Sequence, residues 1–251
     1  MNGKNIATLI GNLAADPTLR YTQSGQAVCN LRLITNTSYK NKDGERVEKS
    51  EGHNVVVFGK AAESCGNHLE KGRKVRVKGR IQHRRYEDKQ GVRRQVSEVV
   101  TRAVGFMSAG GTSVNEVTLR GNLGGDITLR HTRGGTPVCN IRLATNSSYK
   151  DKQGKRVQQT TWHDVVVFGK QAESCATYLG KGDEVELEGS MRTRSYQDKD
   201  GVTRYGFEVL ANSVSFLNTS KAGRGEAAPE PSGELTEQPP AGAPVSYEIP
   251  Y

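Results

Sequence analysis

The chain is written twice. Displaced by 110 residues along itself, Gly11-Asn12-Leu13 falls on Gly121-Asn122-Leu123 and Cys29-Asn30 falls on Cys139-Asn140. The six residues Val55 to Lys60 likewise fall on Val165 to Lys170. The register runs without a gap from Thr8/Thr118 to Phe106/Phe216, and about half of the aligned positions are identical. Solenoid repeats are roughly 20 to 50 residues long, so this period is that of a whole domain. The sequence therefore predicts one domain over 1–106, a linker over 107–115, a second copy over 116–218 and a tail over 219–251. Whatever the chain does, it does at least twice.

Charge is spread unevenly over these parts. The formal net charge of +9 arises from 20 bases against 10 acids in residues 1–110, 14 against 12 in 111–218, and 2 against 5 in 219–251. A basic body suits a polyanion, and an acidic tail suits a different partner. The four cysteines are two positions repeated, Cys29/Cys139 and Cys65/Cys175, with no Cys-x-x-Cys or Cys/His cluster. They read as buried free thiols rather than metal ligands. Without a signal-like N-terminus or a long apolar run, a cytoplasmic location with no membrane attachment is expected.

Within the first copy, apolar strands are expected at Ile6–Leu13, Val28–Asn36 and His53–Phe58, around Val75–Ile81, and at Val96–Phe106. The polar stretch Tyr39–Ser50 reads as a hairpin loop, and Asp88–Gly91 as a hairpin tip. Ala61–Lys71 reads as a short helix closed by Gly72. The second copy repeats each element. Five strands with one helix between the third and fourth is the order of an OB barrel, so the expected class is mainly β, with two tandem OB-fold barrels. From Thr219 onward Pro, Gly, Ala and Glu dominate, which predicts a disordered tail.

The chemistry lies in aromatics set among bases. Tyr39 precedes Lys40 and recurs as Tyr149; Phe58 precedes Gly59-Lys60 and recurs as Phe168; Tyr86 follows Arg84-Arg85 and recurs as Tyr196; Trp162 occurs in the second copy alone. The four tyrosines lie in charged segments where a core role is implausible, whereas Phe58 and Phe168 end apolar strands and fit core or surface equally. A π-face beside a cation suits an unpaired strand: the base stacks while the neighbouring phosphate is neutralised.

The order Gly11-Asn12-Leu13, Asp16-Pro17, Val55–Lys60, Leu69–Gly72 and Tyr86–Gly91 resembles that of bacterial single-stranded DNA-binding proteins, over 4–106 and again over 115–216. Two such domains in one chain resemble the Deinococcus–Thermus type, in which two chains supply four OB domains; a homodimer is thereby implied. The resemblance implies DNA stacking at Tyr39, Phe58, Tyr86, Tyr149, Trp162, Phe168 and Tyr196. It implies backbone contacts at Lys60, Lys71, Arg84, Lys170, Lys181 and Arg194. It also implies that the tip Glu248, Ile249, Pro250 and Tyr251 docks replication, recombination and repair proteins. Gly52 departs from this pattern, standing where the second copy has Trp162, so the first copy is expected to lean on charge and the second on aromatic contact.

Catalysis is not expected. No nucleotide-binding Gly-rich loop occurs, the acids lack the pairing of a two-metal nuclease, and no cofactor is implied. His53 and His163 read as structural or subunit-contact residues. An RNA-binding OB protein is the competing reading, because sequence does not show whether a 2′-hydroxyl is accommodated. A charge inversion stands apart: Arg73, Lys74, Arg76 and Lys78 are replaced in the second copy by Asp183, Glu184, Glu186 and Glu188. These are either a solvated outer face or two faces that meet.

Overall fold

A computed structural model describes residues 3–40, 44–87, 91, 93–150, 154–197 and 203–219. The first copy runs β1 (Lys4–Leu13), β2 (Thr18–Tyr21), β3 (Ala27–Lys40), β4 (Arg46–Phe58), α1 (Lys60–His68), β5 (Lys74–Glu87), β6 (Arg93–Thr101) and β7 (Val104–Met107). The second runs β8 (Val114–Leu123), β9 (Leu129–His131), β10 (Pro137–Lys150), β11 (Arg156–Phe168), α2 (Lys170–Tyr178), β12 (Glu184–Gln197) and β13 (Thr203–Asn218). Each copy is an OB-type barrel with one short helix.

The barrel closes because β1 bends between partners. It pairs antiparallel with β5 from Ala7↔Gly79 to Asn12↔Lys74, then reaches β3 at Asn12↔Ile34 and Leu13↔Leu33. A parallel β4–β6 pairing, Asn54↔Glu98 to Val57↔Thr101, completes the circuit. Alternation in β1 sends Ala7, Leu9 and Leu13 inward, where they meet Leu33, Val55, Val57, Val75, Val77 and Ile81, all 3% exposed or less. Helix α1 covers one end of this core with Ala62 and Cys65. All four cysteines are buried and free, and burial pushes the Cys65 thiol up to about 12.

The structure differs from the sequence reading in several places. The fifth strand of the first copy, expected over Val96–Phe106, is broken at Arg102-Ala103 into β6 and β7, where the Thr101 hydroxyl turns to the Lys78 and Ala103 carbonyls. Helix α1 ends at His68, not Lys71. Buried Leu69 must turn into the core, so it is extended at φ −104° and ψ 147°, giving its N–H to the Cys65 carbonyl. Gly72, at φ 87°, lies instead in the turn into β5 and donates to the Leu13 carbonyl at 2.8 Å. The segment read as a loop over Tyr39–Ser50 is mostly strand: β3 and β4 pair out to Lys40↔Arg46 as a ribbon projecting beyond the barrel. Its alternation is polar on both sides and so gives no apolar signature. The short strands β2 and β9, each on the edge of the 13-stranded sheet, lack such a signature for the same reason.

The two barrels share one sheet. Strand β1 pairs antiparallel with β8 from Lys4↔Arg120 to Ile10↔Val114. At the centre of this seam Ala7 pairs with Val117, its own counterpart in the repeat. A local two-fold axis therefore passes between them. The seam also settles where the charge-inverted strands lie. They flank it in the order β5-β1-β8-β12, about 14 Å apart at normal strand spacing, and so do not face each other within the chain. Lys74 is buried against the linker, donating to the Gly110 carbonyl at 2.6 Å. Its counterpart Glu184 pairs with Arg120 at 2.9 Å, and Lys4 reaches across the seam to Glu186 at 2.8 Å.

Further contacts cross between the copies. Thr193 gives its backbone N–H to the Glu51 carboxylate at 3.2 Å. The ring of His83, on β5, meets His163, on β11, edge-on with centroids 5.7 Å apart. Both His53 and His163 are buried, bonded through Nε2 to Thr35 and Thr145 at 2.8 and 2.9 Å. Desolvation holds His53 down to about 4, with Arg32 adding to the effect. Desolvation likewise holds His163 down to about 3, helped by His83 and Arg142.

Candidate nucleic-acid interface

In the first copy, the outward residues of β3, β4, β5 and β6 line an open groove. One part, about 350 Å³, is bordered by Asn30, Arg32, Asn54, Arg84 and Tyr86. A neighbouring part, about 240 Å³, runs past Phe58, which shares it with Asn30 and Arg84. The β3–β4 register explains this convergence. Val28 stands opposite Phe58 and Arg32 opposite Asn54, so period-two alternation puts Val28, Asn30 and Arg32 on one outer surface. Phe58 is half-buried, with one side on the barrel and the other on the groove. Tyr86 is 44% exposed, and the Arg84 guanidinium lies 5.4 Å from its ring centroid. Arg84 also pairs with Glu98 at 3.1 Å, which offsets part of its charge.

Of the expected backbone contacts, Arg84 lines this groove, while Lys60 and Lys71 lie beside residues that do. Lys60 begins α1 directly after Phe58-Gly59 and is exposed. Lys71 is exposed in the turn into β5, its backbone N–H held by Asp16, which itself borders the groove. Lys170 and Lys181 repeat this arrangement, with Asp126 accepting from the Lys181 N–H at 3.0 Å. Arg194 is exposed on β12. The side chains of Tyr39 and Tyr196 lie outside the described residues, as do Glu248, Ile249, Pro250 and Tyr251.

In the second copy Tyr149 is 51% exposed on the ribbon, and Trp162 is 42% exposed on β11. The indole packs against Gly124, where a Cβ would come within 2.4 Å of its ring. The Arg142 guanidinium sits 5.8 Å from the indole centroid and is paired with Asp164. Phe168, opposite Val138, is half-buried as Phe58 is. Arg32, Asn54 and their counterparts Arg142 and Asp164 escaped the sequence reading as site residues. The outward alternation Val28, Asn30, Arg32 was the available signal, but a lone strand arginine carries no aromatic neighbour in sequence to mark it. Among the described residues, no group of three metal-capable side chains converges, and no helix is long and apolar enough to cross a membrane.

Residues 4–107 and 114–217 each match the single-strand binding protein family. The chain belongs to that family. The single-stranded DNA-binding protein of Deinococcus radiodurans is 31% identical over 94% of this chain and 83% of its own length. The crystal structure of the wild-type single-stranded DNA-binding protein from Thermus aquaticus superposes with a TM-score of 0.70. It shares 28% identity, and the match covers 92% of this chain and 98% of that one. A deletion mutant of the Thermus protein superposes with a TM-score of 0.71 over 86% and 95% of the two chains. This chain is thus of the two-domain type within the family.

Proposed function

We propose that the protein binds single-stranded DNA with little sequence preference. Bases stack on exposed aromatics while lysines and arginines neutralise the phosphates. The observation that carries this reading is a solvent-open aromatic beside a guanidinium in each copy: Tyr86 with Arg84, and Trp162 with Arg142. Every base has a π-face, so such a surface tolerates any sequence, at roughly 1–3 kcal/mol per stacked base. The test is titration with oligo-dT. It should quench Trp162, the sole indole, and log affinity should fall with log salt by about 0.7 per neutralised phosphate. Duplex of the same sequence should bind far more weakly, since its bases are already stacked. Equal affinity for duplex overturns the stacking reading, and preferential binding of oligo-U replaces DNA with RNA as the ligand.

The same reading assigns the protein to protecting exposed strands during replication, recombination and repair, in the cytoplasm and on the nucleoid. It assigns residues 1–106 and 116–218 to the two binding domains and 219–251 to partner docking. A homodimer is favoured by the sheet face around the seam, which carries exposed Arg76 and Lys78 at one side and, at the other, exposed Glu188 beside half-buried Glu186, the partner of Lys4. A two-fold axis along the strands lays each side over its opposite in a second copy. The tail's acids, with the aromatic and apolar side chains of Ile249 and Tyr251, suit a basic-rimmed apolar pocket on another protein. Removing Ile249–Tyr251 is expected to leave DNA affinity nearly intact while abolishing pull-down of repair and replication proteins; retention of those proteins by the truncated chain assigns docking elsewhere.

A further inference from the structure

The two copies are built differently at one corresponding corner of the groove. In the second copy the indole of Trp162 occupies it, and Gly124 makes the room. In the first copy Gly52 replaces the tryptophan, and Ala14, with a Cβ of its own, replaces the glycine. The vacated space is filled from β3. Arg32 lays its guanidinium over Gly52, where a Cβ would lie 2.5 Å from Nη2 and 3.0 Å from Cζ.

The neighbours differ in charge as well. Arg32 donates from Nη1 to the neutral Asn54 carbonyl at 2.8 Å, whereas Arg142 is paired with the Asp164 carboxylate. The Arg32 cation is thus not offset by its neighbour, and it borders the same groove as Arg84 and Tyr86. A guanidinium is planar and weakly hydrated. It stacks on a base and donates to a phosphate at once, which an ammonium does not do.

We propose that Arg32 is a nucleic-acid contact of the first domain, a cationic platform seated on Gly52 in place of the second domain's indole. The proposal deepens the single-stranded DNA reading and rests on it. It divides the chain into one domain whose grip at this corner is salt-sensitive and one whose grip is not.

The experiment uses the full chain and a fluorescein-labelled oligo-dT, with anisotropy followed across a salt series. Arg32→Gln should weaken binding about five- to tenfold at low salt and make the log-log salt slope shallower by about 0.7, one phosphate's worth. Asn54→Asp supplies the carboxylate that the second copy already has, so it should mask Arg32 in place and produce the same shallower slope. Asp164→Asn should unmask Arg142 and steepen the slope. An unchanged far-ultraviolet circular dichroism spectrum and an unchanged melting temperature establish that each variant is folded. If the wild type binds and both Arg32→Gln and Asn54→Asp keep its slope and affinity, this proposal is overturned alone. If the wild type leaves oligo-dT free, the functional reading falls first and takes this one with it.

Discussion

Gly121→Ala is expected to unfold the second barrel under conditions where the wild type is stable. Gly121 lies where β8 turns from β12 toward β10, and a Cβ there would sit 2.0 Å from the Ala144 carbonyl oxygen. The clash is with backbone that is itself fixed by the β10–β11 ladder, so no side-chain rotation relieves it. Overpacking of this kind costs about 3 kcal/mol or more, a large part of a domain's whole stability. Trp162 stands on the neighbouring β11, so urea titration followed by its emission reads this barrel directly. Gly125→Ala, where nothing lies within 4 Å of the added methyl group, should shift the midpoint little. A wild-type midpoint for Gly121→Ala would show that the closure of the barrel is looser than the close approach implies. Gly11 repeats the situation, with the Ile34 carbonyl 2.1 Å from the added Cβ.

Acid should open the molecule next. His53 and His163 are held at about 4 and about 3, below the ordinary 6.5, and burial also lowers His83. The folded chain therefore keeps these rings neutral at pH values where the unfolded chain protonates them. Their contribution is fully present above pH 6.5. It declines as pH falls toward 4 and then 3, at about 1.4 kcal/mol per pH unit for each histidine the unfolded state alone protonates. Asp164 opposes the shift at His83 and Arg142 reinforces it. Between pH 7 and pH 5 the combined loss at His53 and His163 should be roughly 4 kcal/mol, read as a falling urea midpoint. His163→Gln should flatten that dependence. Because the His83–His163 contact joins the two copies, the loss should appear in their association as well as in each barrel. A midpoint independent of pH over this range would mean that the rings are solvated.

The barrel was legible wherever one face of a strand is buried. Leu9, Leu33, Val55 and Val77 print a period of two that identifies both the strand and its inward side. The β3–β4 ribbon was not legible, since strands wet on both faces show no alternation. Nor was the helix end at His68, because a buried Leu69 in extended backbone and a helical leucine look alike in sequence. Exposed Tyr86 and Tyr149 could be found from their charged surroundings, whereas Trp162, after Gln158-Gln159-Thr160-Thr161, was marked only by the family resemblance. Arg32 could not, because its meaning depends on Gly52 and Ala14, which come together only through strand register. The seam was likewise hidden: nothing in β1 announces that its free edge is taken by β8.

That seam has a consequence for direction. The axis between Ala7 and Val117 relates the two domains by a half-turn, so their grooves run in opposite senses across the molecule. A nucleic-acid strand has a polarity. If each domain accepts it with the same polarity, one continuous strand cannot pass straight from the first groove into the second. It must double back between them. The shortest oligonucleotide able to occupy both grooves is therefore set by the length of that turn rather than by the distance between the binding surfaces.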